Sequence, residues 1–143
     1  MRTDSATLLR LVLKLDAGVA AINGAAYLIA AGPLEDLLGL EAALTRALGG
    51  FLILFAGFVW LVAGRDRLSP RALAGVITVN IAWVIGSVAA VGGDVSSPTT
   101  AGEVWILLQA AVVGAFAAAQ GYLATRKFRY AGPVARRASA GSR

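Results

Sequence analysis

Four apolar stretches, at positions 8–31, 44–63, 72–91 and 104–124, make up most of this chain. Each approaches or exceeds the about 20 residues that carry an α-helix across about 30 Å of hydrocarbon. A helix satisfies its backbone hydrogen-bonding groups internally, so in lipid such stretches fold as spanning helices. The connectors carry turn chemistry, with Pro33 in AGPLED, Pro70 in GRDRLSPR and Pro98 in GGDVSSPTTAGE, and none is long enough to form a domain. Pro70 sits where the first turn of a helix tolerates a missing N–H, and Thr100 with Glu103 has the spacing of a capping box. Short connectors make successive helices antiparallel. The sequence therefore predicts an all-α, polytopic membrane protein whose four transmembrane helices form an up-down-up-down bundle over residues 1–125. The first and last helices meet to close it. A basic tail, 126–143, is rich in small residues and expected to be disordered.

Composition narrows the chemistry. Of the 143 residues, 58% are hydrophobic and only 15% charged, which a soluble domain of this size rarely shows. With no Cys, no His and one Met, the chain offers no thiol, disulfide or imidazole chemistry and no haem ligation inside the chain. No pair of carboxylates shares a site, no nucleophile has a base and no glycine-rich phosphate loop follows a strand, so the expectation is a non-enzymatic protein without cofactor or metal. Eleven Arg against two Lys, with abundant Ala, Gly, Val and Leu, suit a GC-rich bacterial source.

Basic residues are retained on the cytoplasmic side of a membrane. Arg2, Arg10 and Lys14 precede or begin the first segment, Arg65, Arg67 and Arg71 fill the second connector, and Arg126, Lys127, Arg129, Arg136, Arg137 and Arg143 follow the fourth. Arg46 alone falls on the other side, with Glu35, Asp36, Glu41, Asp94 and Glu103. Both termini are thus expected in the cytoplasm, in a bacterial inner membrane. The net charge of +5 belongs to the cytoplasmic surface and the tail, where the partner is anionic lipid and not nucleic acid, and Phe128 with Tyr130 would anchor the tail at the interface. Read instead as a cleaved signal peptide, the first segment would have an apolar core broken by Lys14, Asp16 and Asn23, so its retention is expected.

Close packing in lipid depends on aligned small residues. Gly50, Gly57 and Gly64 recur every seventh residue in the second segment, Ala82, Gly86 and Ala90 every fourth in the third, and Ala110, Gly114 and Ala118 every fourth in the last, and each set is a candidate seam. Trp60, Trp105 and Tyr122 lie toward segment ends and fit aromatic belts, whereas Trp83 lies deeper and should pack inward or use its indole N–H.

Polar residues form stripes. Asp16, Asn23 and Tyr27 are spaced seven and four apart, Asn80, Trp83 and Ser87 three and four apart, and Gln109 and Gln120 eleven apart, so each set shares a helix face. Because a polar group facing lipid costs kilocalories, all three stripes should turn inward. Counting about 1.5 Å per residue from the cytoplasmic end places Asp16 with Gln120 at about 6–8 Å, Asn23 with Asn80 at about 12–18 Å, and Ser87 with Gln109 at about 22–23 Å. Asp16 has two readings. It is an interfacial pin paired with Arg10, Lys14 or Arg71, or it is a functional carboxylate that takes up a proton or a ligand.

Three stretches, LDAGVAAINGAAYL, VNIAWVIGSV and TTAGEVWILLQAAVV, resemble the small four-helix bacterial membrane proteins that are DoxX-like in the broad sense. That resemblance implies the four-helix architecture and an accessory role near redox partners, and it assigns no catalytic residue. The function expected is an accessory or small-ligand-binding subunit with an inward polar core. The alternative is a small homodimeric transporter of a hydrophobic or cationic compound that uses Asp16.

Overall fold

A computed structural model describes residues 4–93 and 97–140, with side chains described through Phe128. Arg2, Asp94 and Arg143, and the side chains of Arg129, Tyr130, Arg136 and Arg137, lie outside the described residues. The chain is all-α: α1 Ser5–Ile29, α2 Ala31–Leu38, α3 Ala42–Gly64, α4 Pro70–Gly92 and α5 Thr100–Ala140, with no strand among the described residues. Three helices are long and apolar enough to cross a membrane, at Ala42–Gly64, Pro70–Gly92 and Thr100–Phe128. A fourth span results if α1 and α2, bent by 93° at Ala30, count as one. Their outward faces carry Ile22, Leu54, Leu61, Ile85 and Val104, all more than half exposed, an apolar surface suited to lipid and not to water.

The proline-bearing connector AGPLED is itself a helix. Pro33 is the third residue of α2, where no intrahelical N–H is owed, so it starts the helix and does not break it. Gly39, at φ 70°, ends α2 in the left-handed region, its N–H donating to the Glu35 carbonyl at 2.9 Å. Thr99 then ties this corner to α5. Its N–H donates to the Leu38 carbonyl at 2.9 Å and its hydroxyl to the Leu37 carbonyl at 2.7 Å. Thr99 also caps α5 by accepting from the Gly102 N–H at 3.1 Å. The cap is therefore one residue earlier than the Thr100–Glu103 spacing predicts, because Thr99 alone is held extended against α2. At α4 the expected start is observed, with Pro70 in the first turn and the Ser69 hydroxyl accepting from the Ala72 N–H at 3.4 Å.

α1 packs against α3 and α5, and α5 packs against α1 and α4. Gly24 of α1 meets Gly49 near the start of α3, while Arg10 reaches Ala63 at its end, so these two helices are antiparallel. Asp16 pairs with Gln120 and Tyr27 with Gln109, so α1 and α5 are antiparallel as well. The core between α1 and α3 holds Leu9, Leu13, Ala17, Val59 and Val62, and Leu73 and Val76 of α4 join it.

Two expected seams are corrected. A Cβ added at Gly50, Gly57 or Gly64 would meet nothing within 4 Å, so that heptad is not an interface. The close approach is instead Gly24 against Gly49, where a Cβ on either would lie 2.9 Å from the other's carbonyl oxygen. Ala82 and Gly86 of α4 face a gap, since α3 and α4 hardly touch despite their short connector. On α5, Ala110 is buried and Gly114 comes near Val84, but Ala118 is exposed.

Candidate functional site

The polar stripe of α1 turns inward and meets two others. Asp16 is 3% exposed, and its Oδ2 accepts from Asn80 Nδ2 at 2.8 Å and from Gln120 Nε2 at 2.7 Å. Asn80 Nδ2 also donates to Gln120 Oε1 at 3.3 Å. One carboxylate oxygen thereby joins α1, α4 and α5, through hydrogen bonds of the charged class, worth about 1.5–3 kcal/mol each. No basic side chain takes part. Arg10 turns to the end of α3, donating to the Ala63 carbonyl at 2.6 Å and the Asp66 carbonyl at 2.8 Å, where helix-terminal acceptors lack intrahelical partners. Lys14 stands over the Trp60 ring, 5.7 Å from its centroid. The pairing of Asp16 with Arg10, Lys14 or Arg71 is thus replaced by two neutral amides, because Asp16 lies deeper than the reach these cations prefer.

A second layer sits toward the α2 corner. The Tyr27 hydroxyl accepts from Trp105 Nε1 at 2.9 Å and from Gln109 Nε2 at 2.5 Å, and Asn23 Nδ2 lies 3.5 Å from Gln109 Oε1. The three layers counted from helix starts become two. Asn80 joins Asp16 and Gln120 and not Asn23, and Gln109 joins Asn23 and Tyr27 and not Ser87, because α4 is offset along its axis against α1. Trp105, expected in an aromatic belt, is a hydrogen-bond donor inside the protein. Its position four residues before Gln109, on the same face, is the signal that could have placed it there.

Between α3 and α4 lies a cavity of about 560 Å³, lined by Leu44, Leu48 and Phe51 of α3, by Val79, Ala82, Trp83, Gly86 and Ser87 of α4, and by Ile106 of α5. Tyr27 and Gln109 border it, so the second polar layer supplies its hydrogen-bonding edge. Trp83 packs inward, as its depth predicts, stacked on Phe51 with centroids 6.1 Å apart and planes 4° apart. Ser87 lines the cavity and joins neither polar layer.

Behind the Phe51–Trp83 pair is a chamber of about 20 Å³, bounded by Asp16, Asn23, Asn80, Phe55 and Val113 as well as by that pair and Val79. Asp16 Oδ1 makes no hydrogen bond within the protein, yet among the described residues no fully buried side-chain oxygen or nitrogen lacks a partner. Oδ1 is therefore not fully enclosed, and Asp16 lines this chamber. Among the described residues no group of three or more His, Cys, Asp or Glu comes together. Comparison of the chain with family models, with curated proteins and with solved structures finds no match in any of the three.

Proposed function

We propose that this chain is a bacterial cytoplasmic-membrane protein, four spans in an up-down-up-down bundle with both termini in the cytoplasm, that binds a small apolar molecule between α3 and α4 and acts as a non-enzymatic accessory subunit. The observation that carries this reading is the cavity of about 560 Å³. Its size and lining, apolar walls with a few convergent polar groups at one edge, are those of a ligand pocket. Small residues on α4 hold it open: Ala82 and Gly86 leave a groove that leucines would fill. The antiparallel pairings of α1 with α3 and α5, and the cytoplasmic bias of the basic residues, support the topology.

Gly86→Leu tests the site. A Cβ there meets nothing within 4 Å and Gly86 lines the cavity, so a leucine has open space to enter and the variant should fold while filling the cavity. Binding of a neutral apolar probe such as decanol to the protein in lipid nanodiscs should fall strongly with an unchanged melting temperature. Unchanged binding would refute the cavity as the ligand site. A small homodimeric transporter is the second reading, favoured by a carboxylate inside the span that no basic residue neutralises. Uptake into reconstituted vesicles that Asp16→Asn abolishes would promote it over the accessory role.

A further inference from the structure

The chamber beside Asp16 has a chemistry of its own. Among the described residues Asp16 is the one buried acidic residue: Asp4, Glu41 and Asp66 lie in connectors, Glu103 in the first turn of α5, and Glu35 and Asp36 on the exposed face of the short α2. Its partners are two neutral amides, so an ionised Asp16 leaves a negative charge in a low-dielectric interior with no cation opposite it, an arrangement that is costly unless a cation is supplied. The oxygen that a cation would need is available. Asp16, Asn23 and Asn80 all border the chamber, and Asp16 Oδ1 and the side-chain oxygens of Asn23 and Asn80 accept no hydrogen bond from the described residues. Phe51, Phe55 and Trp83 are part of the remaining, apolar lining, and aromatic rings attract cations.

Size decides which cation. A volume of about 20 Å³ holds one water-sized group. A primary ammonium is of that size and carries three N–H donors for three oxygens, whereas a trimethylammonium is several times larger and has no donor. The chamber also adjoins the large cavity: Phe51, Val79 and Trp83 line both.

We propose that the Asp16 chamber is a primary-ammonium site, and that the molecule held between α3 and α4 is an apolar primary amine whose charged end passes the Phe51–Trp83 pair to reach Asp16. This rests on the α3–α4 cavity being a ligand site. The amine donates to Asp16 Oδ1 and to the Asn23 and Asn80 amide oxygens, while Asn80 and Gln120 hold Oδ2 from behind and fix the carboxylate plane. The hydrocarbon body stays among Leu44, Leu48 and Ala82.

The test uses the full chain in zwitterionic nanodiscs, with empty discs subtracted for partitioning, and three probes of one chain length: decylamine, decyltrimethylammonium and decanol. Decylamine should bind wild type at least about tenfold more tightly than either of the others, the effect of one charge-assisted contact set in a desolvated site. Asp16→Asn should bind decanol as wild type does and lose the preference for the amine. Trp83→Ala, which opens the chamber, should admit decyltrimethylammonium as readily as decylamine. Equal binding of decylamine and decyltrimethylammonium by wild type overturns the proposal, whatever the variants do, as does an Asp16→Asn protein that keeps the amine preference. Decanol binding without amine preference removes the ammonium site alone; binding of none of the three removes the α3–α4 ligand site itself.

Discussion

Gly49→Ala is the sharpest perturbation of the packing. A methyl group there would lie 2.9 Å from the Gly24 carbonyl oxygen, 2.9 Å from Tyr27 Cβ and 3.1 Å from Leu28 Cγ. Two of these neighbours are backbone or the root of a side chain, so they yield only if α1 and α3 separate. Overpacking of one methyl costs about 1–3 kcal/mol, and contacts this rigid belong in the upper half of that range. Moving Tyr27 also strains the hydrogen bonds its hydroxyl accepts from Trp105 and Gln109, about 1 kcal/mol each if lost. Against this, Ala is favoured over Gly within a helix by about 1 kcal/mol. The net expectation is a loss of about 1.5–3 kcal/mol. Gly57→Ala is the matched control, since its methyl meets nothing within 4 Å; it should be neutral or stabilising by up to about 1 kcal/mol. Reversible unfolding in mixed micelles, followed by circular dichroism, separates the two by about 1.5–4 kcal/mol on these figures. If the two variants unfold together, the α1–α3 contact is not the close seam described.

Asp16→Ala leaves the Asn80 and Gln120 amides without their shared acceptor and should cost about 2–4 kcal/mol, whereas Asp16→Asn keeps an acceptor oxygen and should cost less than about 1.5 kcal/mol; equal losses in the same unfolding assay would refute the shared-acceptor role. Tyr27→Phe removes the acceptor for two donors and should lower stability by about 1–3 kcal/mol, with a shift in indole fluorescence as Trp105 loses its partner; an unchanged spectrum and stability would count against the second polar layer. For topology, cysteine introduced at Arg67 should resist a membrane-impermeant maleimide in intact cells while cysteine at Glu41 reacts, and the reverse pattern would invert the proposed orientation.

The inward stripes were legible because lipid penalises every outward polar group, so spacing along one helix suffices to choose the face of Asp16, Asn23 and Tyr27. What one helix cannot give is its axial offset against another. Counting from helix starts groups Asn80 with Asn23, and a shift of under one turn along α4 puts it on Asp16 instead. The same limit hid the true glycine contact. Gly50, Gly57 and Gly64 have a regular period but open space around them, while Gly24 and Gly49 stand on different helices and have no mutual spacing to read. Pro33 carries only the turn chemistry of a connector when read along the chain, because its place in a helix depends on where that helix begins, and the turn at Ala30 fixes that. The cavity was not legible at all, since Ala82 and Gly86 have the same pattern whether a neighbour fills their groove or leaves it vacant.

The pattern of attachments also sets the mechanics of the bundle. α1 is fastened to α3 by the Gly24–Gly49 approach and the Arg10 clamp, and α2 bolts the far end of that pair to α5 through Thr99. α4 packs its backbone mainly on α5, and it reaches the α1–α3 pair through Leu73 and Val76 at its start and through the Asn80–Asp16 hydrogen bond. Beyond Leu73 and Val76, a change in the spacing of α3 and α4 is therefore resisted by the Asn80–Asp16 hydrogen bond and the stacked Phe51–Trp83 pair. The α3–α4 face is thus the least restrained side of the bundle, and under the binding role proposed above an apolar molecule dissolved among the lipid chains enters the cavity sideways, without crossing either aqueous surface.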